Sequence, residues 1–118
     1  MKTHKLILSA CIGLASMVAA GAAGAADAYP AKPIKVIVGY PAGGANDLVA
    51  RAIGQEMSKD LGQQVVVENI SGAAGTIGAA SAAKGAPDGY TLVMGAGAHA
   101  LAPSVRESLP YDIVSDFA

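Results

Sequence analysis

Three short loops, built almost wholly from glycine, alanine and one or two polar residues, carry the chemistry this sequence offers. They are Gly39-Tyr-Pro-Ala-Gly-Gly-Ala45, Ser71-Gly-Ala-Ala-Gly-Thr76 and Ala96-Gly-Ala-His99. Gly43-Gly44 lets a ligand approach the backbone with no Cβ in the way. Asn46 or Asp47 then reads as a helix N-cap, with the first free N–H groups facing the space above the loop. Ser71–Thr76 repeats the arrangement. Free N–H groups and the positive end of a helix dipole together hold an anion. Two such ends converging suit a carboxylate. A tight strand-to-helix turn also wants glycine, so one such loop decides nothing; three in succession tilt the reading toward a binding cleft.

Other chemistries fit less well. Gly72-Ala-Ala-Gly75-Thr-Ile-Gly78 follows a strand and opens a helix, but its spacing is G-x-x-G-x-x-G rather than the dinucleotide G-x-G-x-x-G. No Lys-Ser or Lys-Thr follows the glycines, which removes a Walker loop. His99 is the single histidine after the N-terminal region, so a histidine metal cluster cannot be assembled. Ser58, Ser71, Ser81, Ser104, Ser108 and Ser115 sit in no nucleophile-elbow context. Neither a cofactor nor a metal is expected. Asp47 reads as a cap, with a general base as the alternative; His99 reads equally as a ligand contact or as a solvated loop residue.

The elements that must position these loops are three strand–loop–helix units. Ile34–Val38 is a β-branched run suited to a buried parallel strand. Leu48, Val49, Ala52, Ile53, Met57 and Leu61 recur at helical spacing and predict one apolar face, with Gly62 as the stop. Val65–Glu68 predicts the second strand, and an Ala-rich helix follows over roughly Ile77–Ala83. Ala86-Pro-Asp-Gly89 is a turn signature ahead of a third strand over Tyr90–Gly95. Pro103–Leu109 reads as a short helix and Pro110-Tyr-Asp112 as a turn. Strands alternating with helices imply an α/β fold with a parallel sheet and right-handed crossovers.

The N-terminus reads as a secretory signal peptide over residues 1–28. Lys2 and Lys5 precede an apolar run from Leu6 to Ala20, and Gly21–Ala26 is a small-residue exit. Ala23-Gly-Ala25 and Ala26-Asp-Ala28 both fit the peptidase, and the reading takes the cut before Tyr29. A retained membrane helix is the alternative, but the run is shorter than the roughly 20 residues a span needs. Leu8-Ser-Ala-Cys11 matches a lipoprotein box, yet only Leu6–Ala10 would precede the cut, so Cys11 reads as part of the apolar run. From Tyr29 onward six Lys/Arg face eight Asp/Glu, a mildly acidic balance that excludes a nucleic-acid footprint or a polybasic membrane patch.

Tyr29-Pro-Ala-Lys-Pro33, Val38-Gly-Tyr-Pro-Ala-Gly-Gly-Ala-Asn-Asp47, Leu61-Gly-Gln-Gln-Val-Val-Val-Glu-Asn69 and Gly72–Gly78 resemble the Bug-type receptors. These are the extracytoplasmic substrate-binding proteins of tripartite tricarboxylate transporters. Ala86-Pro-Asp-Gly-Tyr-Thr-Leu92 and Leu109-Pro-Tyr-Asp112 through Ala118 continue the likeness, which covers residues 29–118. It implies a type II periplasmic-binding-protein fold, of which residues 29–118 would be the first βαβαβ part of lobe 1, the remainder and a second lobe lying outside this sequence. The implied role is non-enzymatic: closure on a small carboxylate in the periplasm and delivery to a membrane permease. By the same resemblance the ligand contacts are Ala42, Gly43, Gly44, Asn46 and Asp47 from the first loop, Ala74, Gly75 and Thr76 from the second, and Ala98 and His99 from the third. Members often carry Ser or Thr where this chain has Ala98. A secreted α/β enzyme with catalytic groups beyond residue 118 is the alternative.

Overall fold

The computed structural model describes residues 28–117; the signal-peptide reading over residues 1–28, Ala28 excepted, and Cys11 lie outside them. Ile34–Val38 forms strand β1, Val65–Asn69 forms β2 and Thr91–Met94 forms β3. Helix α1 spans Ala45–Leu61, α2 spans Thr76–Ala83 and α3 spans Gly97–Val105, with a 3₁₀ turn at Ala73–Gly75. All pairings are parallel, in the order β2-β1-β3, with Ile34 opposite Val65 and Lys35 opposite Thr91. The α/β parallel architecture read from the strand–helix alternation is therefore the one observed.

Alternation along β1 sends Val36 and Val38 to one face, where they cluster with Ala50 of α1 and the half-buried Val65, Val67, Leu92 and Met94. The opposite face carries α2, whose Ala79 lines a common cavity with Val93 of β3. A second cluster on that side joins Ala79 and Ala80 to Tyr111, with Ile113 and Phe117 packed on it. Two right-handed crossovers, one to each neighbour of β1, require helices on opposite faces.

Three local expectations are corrected. The inward face of α1 is Asp47, Ala50 and Gly54, whereas Leu48, Val49 and Ile53 are 60%, 46% and 50% exposed. Helix-to-sheet distance decides this: a Cβ on Gly54 would stand 3.1 Å from a Val65 methyl, an approach that a row of leucines would not permit. The cap of α1 is Gly44 rather than Asn46 or Asp47, because the helix begins at Ala45. The third helix occupies Gly97–Val105 rather than Pro103–Leu109, with Pro103 tolerated inside it. Gly62 ends α1 in a left-handed conformation (φ 65°), as its position suggested.

Candidate functional site

Parallel strands place all three small-residue segments at one edge of the sheet, the carboxyl edge; the first two lead into helices, whereas Ala96–His99, expected as a loop, is the N-cap and first turn of α3 itself. The loop after β1 leads to α1 on one face. The loop after β3 leads to α3 on the side of α2, since His99 and Ala79 line one cavity. The order β2-β1-β3 thus puts a topological switch point between β1 and β3, where a crevice opens in sheets of this kind.

In the first loop Ala42 and Gly43 are exposed and Gly44 and Asn46 half-buried. The first helical bond of α1 runs from the Leu48 N–H to the Gly44 carbonyl at 3.0 Å. The N–H groups of Ala45, Asn46 and Asp47 therefore precede the intrahelical ladder and remain for a ligand. Asp47 itself is 2% exposed, and its carboxylate accepts from three donors. These are the Gly43 N–H at 2.8 Å, Arg51 Nε at 3.0 Å and Asn69 Nδ2 at 2.9 Å. The Arg51 bond, then the Gly43 N–H and then Asn69 hold the Asp47 carboxyl at about 2, below its ordinary 3.8. Its charge is thus spent on fixing the loop: Asn69 also donates to the Tyr40 carbonyl at 3.0 Å, tying β2 to the chain leaving β1.

The second loop is a left-handed turn. Ala73, Ala74 and Gly75 have φ of 50°, 55° and 90°, and Thr76, buried, opens α2. Glycine is required at 75 by space as well as by φ. A Cβ there would lie 2.8 Å from His99 Nε2 and 3.3 Å from the Tyr40 ring.

In the third, Ala98 is exposed and His99 is 7% exposed, so the solvated-loop reading of His99 does not hold. The Ala96 N–H donates to His99 Nδ1 at 3.0 Å, a side-chain bond back to the start of α3. With Nδ1 accepting, Nε2 carries the proton and donates to the Gly75 carbonyl at 3.2 Å. The ring also meets Tyr40 edge-on, 6.2 Å between centroids. The structure therefore brings Gly75 and His99 together, while Asp47 is directed to Arg51 and Asn69.

Tyr40, Arg51, Asn69 and Arg106 were not legible as site residues. Arg51, four residues after Asp47, offered a helical-pair signal; the others act across the fold. Beneath the third loop lies a cavity of about 200 Å³ lined by Ala79, Val93, Gly95, His99, Tyr111, Ile113 and Phe117. Its lining is mainly apolar, with His99 and the unpartnered buried hydroxyl of Tyr111 as the polar groups, so a carboxylate seated there would lose most of its hydration. Among the described residues no group of three metal-ligating side chains occurs, and no helix is long and apolar enough to cross a membrane.

The family described as tripartite tricarboxylate transporter family receptor matches residues 49–118. A UPF0065 protein of Agrobacterium vitis is 45% identical over 85 residues, covering 72% of this chain and 25% of the relative. Protein BugT of Bordetella pertussis is 44% identical over 85 residues, covering 70% and 26%. The chain thus spans about a quarter of the length of these curated relatives. Among solved structures, a periplasmic transporter superposes with TM-score 0.70 at 49% identity over 72% of this chain and 29% of its own. The R. palustris Rpa4515 protein with adipate gives 0.66 at 36% identity, over 71% and 28%. MatC of Rhodopseudomonas palustris with bound malate gives 0.53 at 46% identity, over 55% and 22%.

Proposed function

The chain belongs to the tripartite tricarboxylate transporter receptor family, and we propose that residues 29–118 supply the anion-binding edge of lobe 1 of a periplasmic carboxylate receptor. The observation that carries the reading is the convergence of three small-residue loops, each opening a helix, at the switch point between β1 and β3. The amides of Ala45 and Asn46, of Ala74 and of Ala98 face a carboxylate held there; the N–H groups of Gly43, Gly44, Gly75 and Thr76 are donated to the Asp47 carboxylate and to the Pro41, Gly72 and Ala73 carbonyls, so these residues and Ala42 shape the loops around the ligand. Asp47 contributes through its own N–H and through the loop its side chain holds, and His99 through the turn its side chain holds. Arg51 and Asn69 offset the Asp47 charge, so it does not repel the ligand.

Similar proteins with adipate and with malate support a dicarboxylate as the ligand class. Binding and lobe closure require no nucleophile–base pair. Family membership and the N-terminal signal pattern support export to the periplasm and delivery to a membrane permease.

The test is calorimetric titration of the protein expressed from its full reading frame against succinate, malate, glutarate and adipate, with the monoamide of each as control. The expected result is saturable binding of at least one dicarboxylate, weakened tenfold or more in its monoamide. Absence of binding, and of any thermal stabilisation, by all four would overturn the reading.

A further inference from the structure

The left-handed turn Ala73–Gly75 places two alanines at φ of 50° and 55°, a conformation costing about 1–2 kcal/mol per non-glycine residue. Such a turn persists only where its surroundings over-determine it. Here every carbonyl of the turn is held by a side chain from another segment. Arg106, just beyond α3, donates from Nη2 to the Ala73 carbonyl at 2.9 Å. Tyr40, just beyond β1, donates from its hydroxyl to the Ala74 carbonyl at 3.3 Å. His99, in the first turn of α3, donates from Nε2 to the Gly75 carbonyl at 3.2 Å, its tautomer set by the Ala96 N–H on Nδ1.

We infer that Tyr40, His99 and Arg106 are positioning residues of the carboxylate site, whose hydrogen bonds to three consecutive carbonyls fix the start of α2 against the chain leaving β1 and against both ends of α3. This rests on the carboxylate reading above. The physical reason is that amides hold an anion well only when their directions are set before it arrives, since ordering them on binding costs affinity. Gly75 immediately precedes Thr76, the first residue of α2, so the turn's path sets where that helix N-terminus lies. Arg106 forms no ion pair among the described residues, leaving its guanidinium free for this backbone contact.

The test uses Tyr40→Phe, Arg106→Ala, Arg106→Lys and the double variant Tyr40→Phe/Arg106→Ala in the protein from the full reading frame. Two readouts are taken: affinity for whichever of the four dicarboxylates binds the unmodified protein, and hydrogen exchange of the amides of residues 73–78. Tyr40→Phe keeps the ring against His99 and removes one bond, so affinity should fall about threefold to tenfold with faster exchange confined to that turn. Arg106→Ala should do the same, Arg106→Lys should recover most of the affinity, and the double variant should lose less than the product of the single losses. Unchanged affinity and exchange in both single variants overturns the inference while leaving the carboxylate reading standing. A loss of affinity that merely follows a lowered melting temperature, without local exchange, also overturns it. If the unmodified protein binds none of the four, the carboxylate reading falls and this role falls with it.

Discussion

Replacing Gly78 by alanine separates the intrinsic preference of α2 from the packing that positions it. Gly78 is the third residue of α2 and is buried. In an isolated helix the substitution stabilises by up to about 0.8–1 kcal/mol, because glycine loses the most backbone freedom. In the fold, a Cβ at 78 would lie 2.8 Å from Gly39 Cα and 2.8 Å from the Ile70 carbonyl oxygen. Both are backbone atoms, so the strain cannot be relieved by turning a side chain. Overpacking of that kind costs about 1–3 kcal/mol, leaving a net loss of about 1 kcal/mol. The shift moves α2 away from β1, so dicarboxylate affinity should fall as well. Urea unfolding of the full-reading-frame protein measures the first effect, with Gly97→Ala as control. A Cβ at 97, in the first turn of α3, meets nothing within 4 Å, and that variant should be as stable as the parent or more so by up to about 1 kcal/mol. A Gly78→Ala protein as stable as the parent, or more so, would refute the close backbone approach of α2 to β1.

Three further outcomes follow from the same geometry. The folded Asp47 carboxyl titrates at about 2, against an ordinary 3.8; the unfolded chain therefore binds the extra proton first, and the Asp47 contribution is whole above about pH 4 and lost as pH falls through 2. The urea midpoint of Asp47→Asn should consequently fall less steeply than that of the parent between pH 4 and pH 2, and equal slopes would count against the three-donor arrangement. Ser58 Oγ donates to the Gly54 carbonyl at 2.7 Å and accepts from the Val65 N–H at 2.9 Å, pinning α1 to the start of β2. Ser58→Ala should cost about 1–2 kcal/mol in urea unfolding, and a change below about 0.3 kcal/mol would show that the pin contributes nothing. Lys35 and Glu68 pair at 2.8 Å across β1 and β2 with both side chains about half exposed; Lys35→Met should change stability by less than about 1 kcal/mol, and a larger loss would mean the pair is shielded from solvent.

The backbone geometry of the candidate site is largely legible in the sequence because its signals are local. Gly43 at φ 82° and Gly75 at φ 90° occupy conformations that side chains resist, so glycine at those positions announces a turn. The β-branched runs announce β1 and β2 to within a residue. The buried face of α1 is not legible in the sequence, because periodicity reports which residues are apolar, not which side must approach the sheet closely. Asp47 was read as a cap from its type and place near a helix start. Its role as acceptor for Gly43, Arg51 and Asn69 depends on β2 lying beside β1.

By itself the sequence determined the order of strands and helices, the parallel α/β class and the three loops suited to an anion. These depend on backbone preferences and on apolar spacing within a few residues. Tertiary structure alone decided which face of α1 is buried, that both ring nitrogens of His99 are engaged, and that Tyr40 and Arg106 reach the turn at Ala73–Gly75. The bonds from Tyr40, from His99 Nε2 and from Arg106 join residues more than twenty positions apart, and their partners are backbone carbonyls, which every residue carries. A donor aimed at a carbonyl leaves no mark in the type of the residue that accepts it, so the packing of β1, α2 and α3 had to be in place before it could be seen.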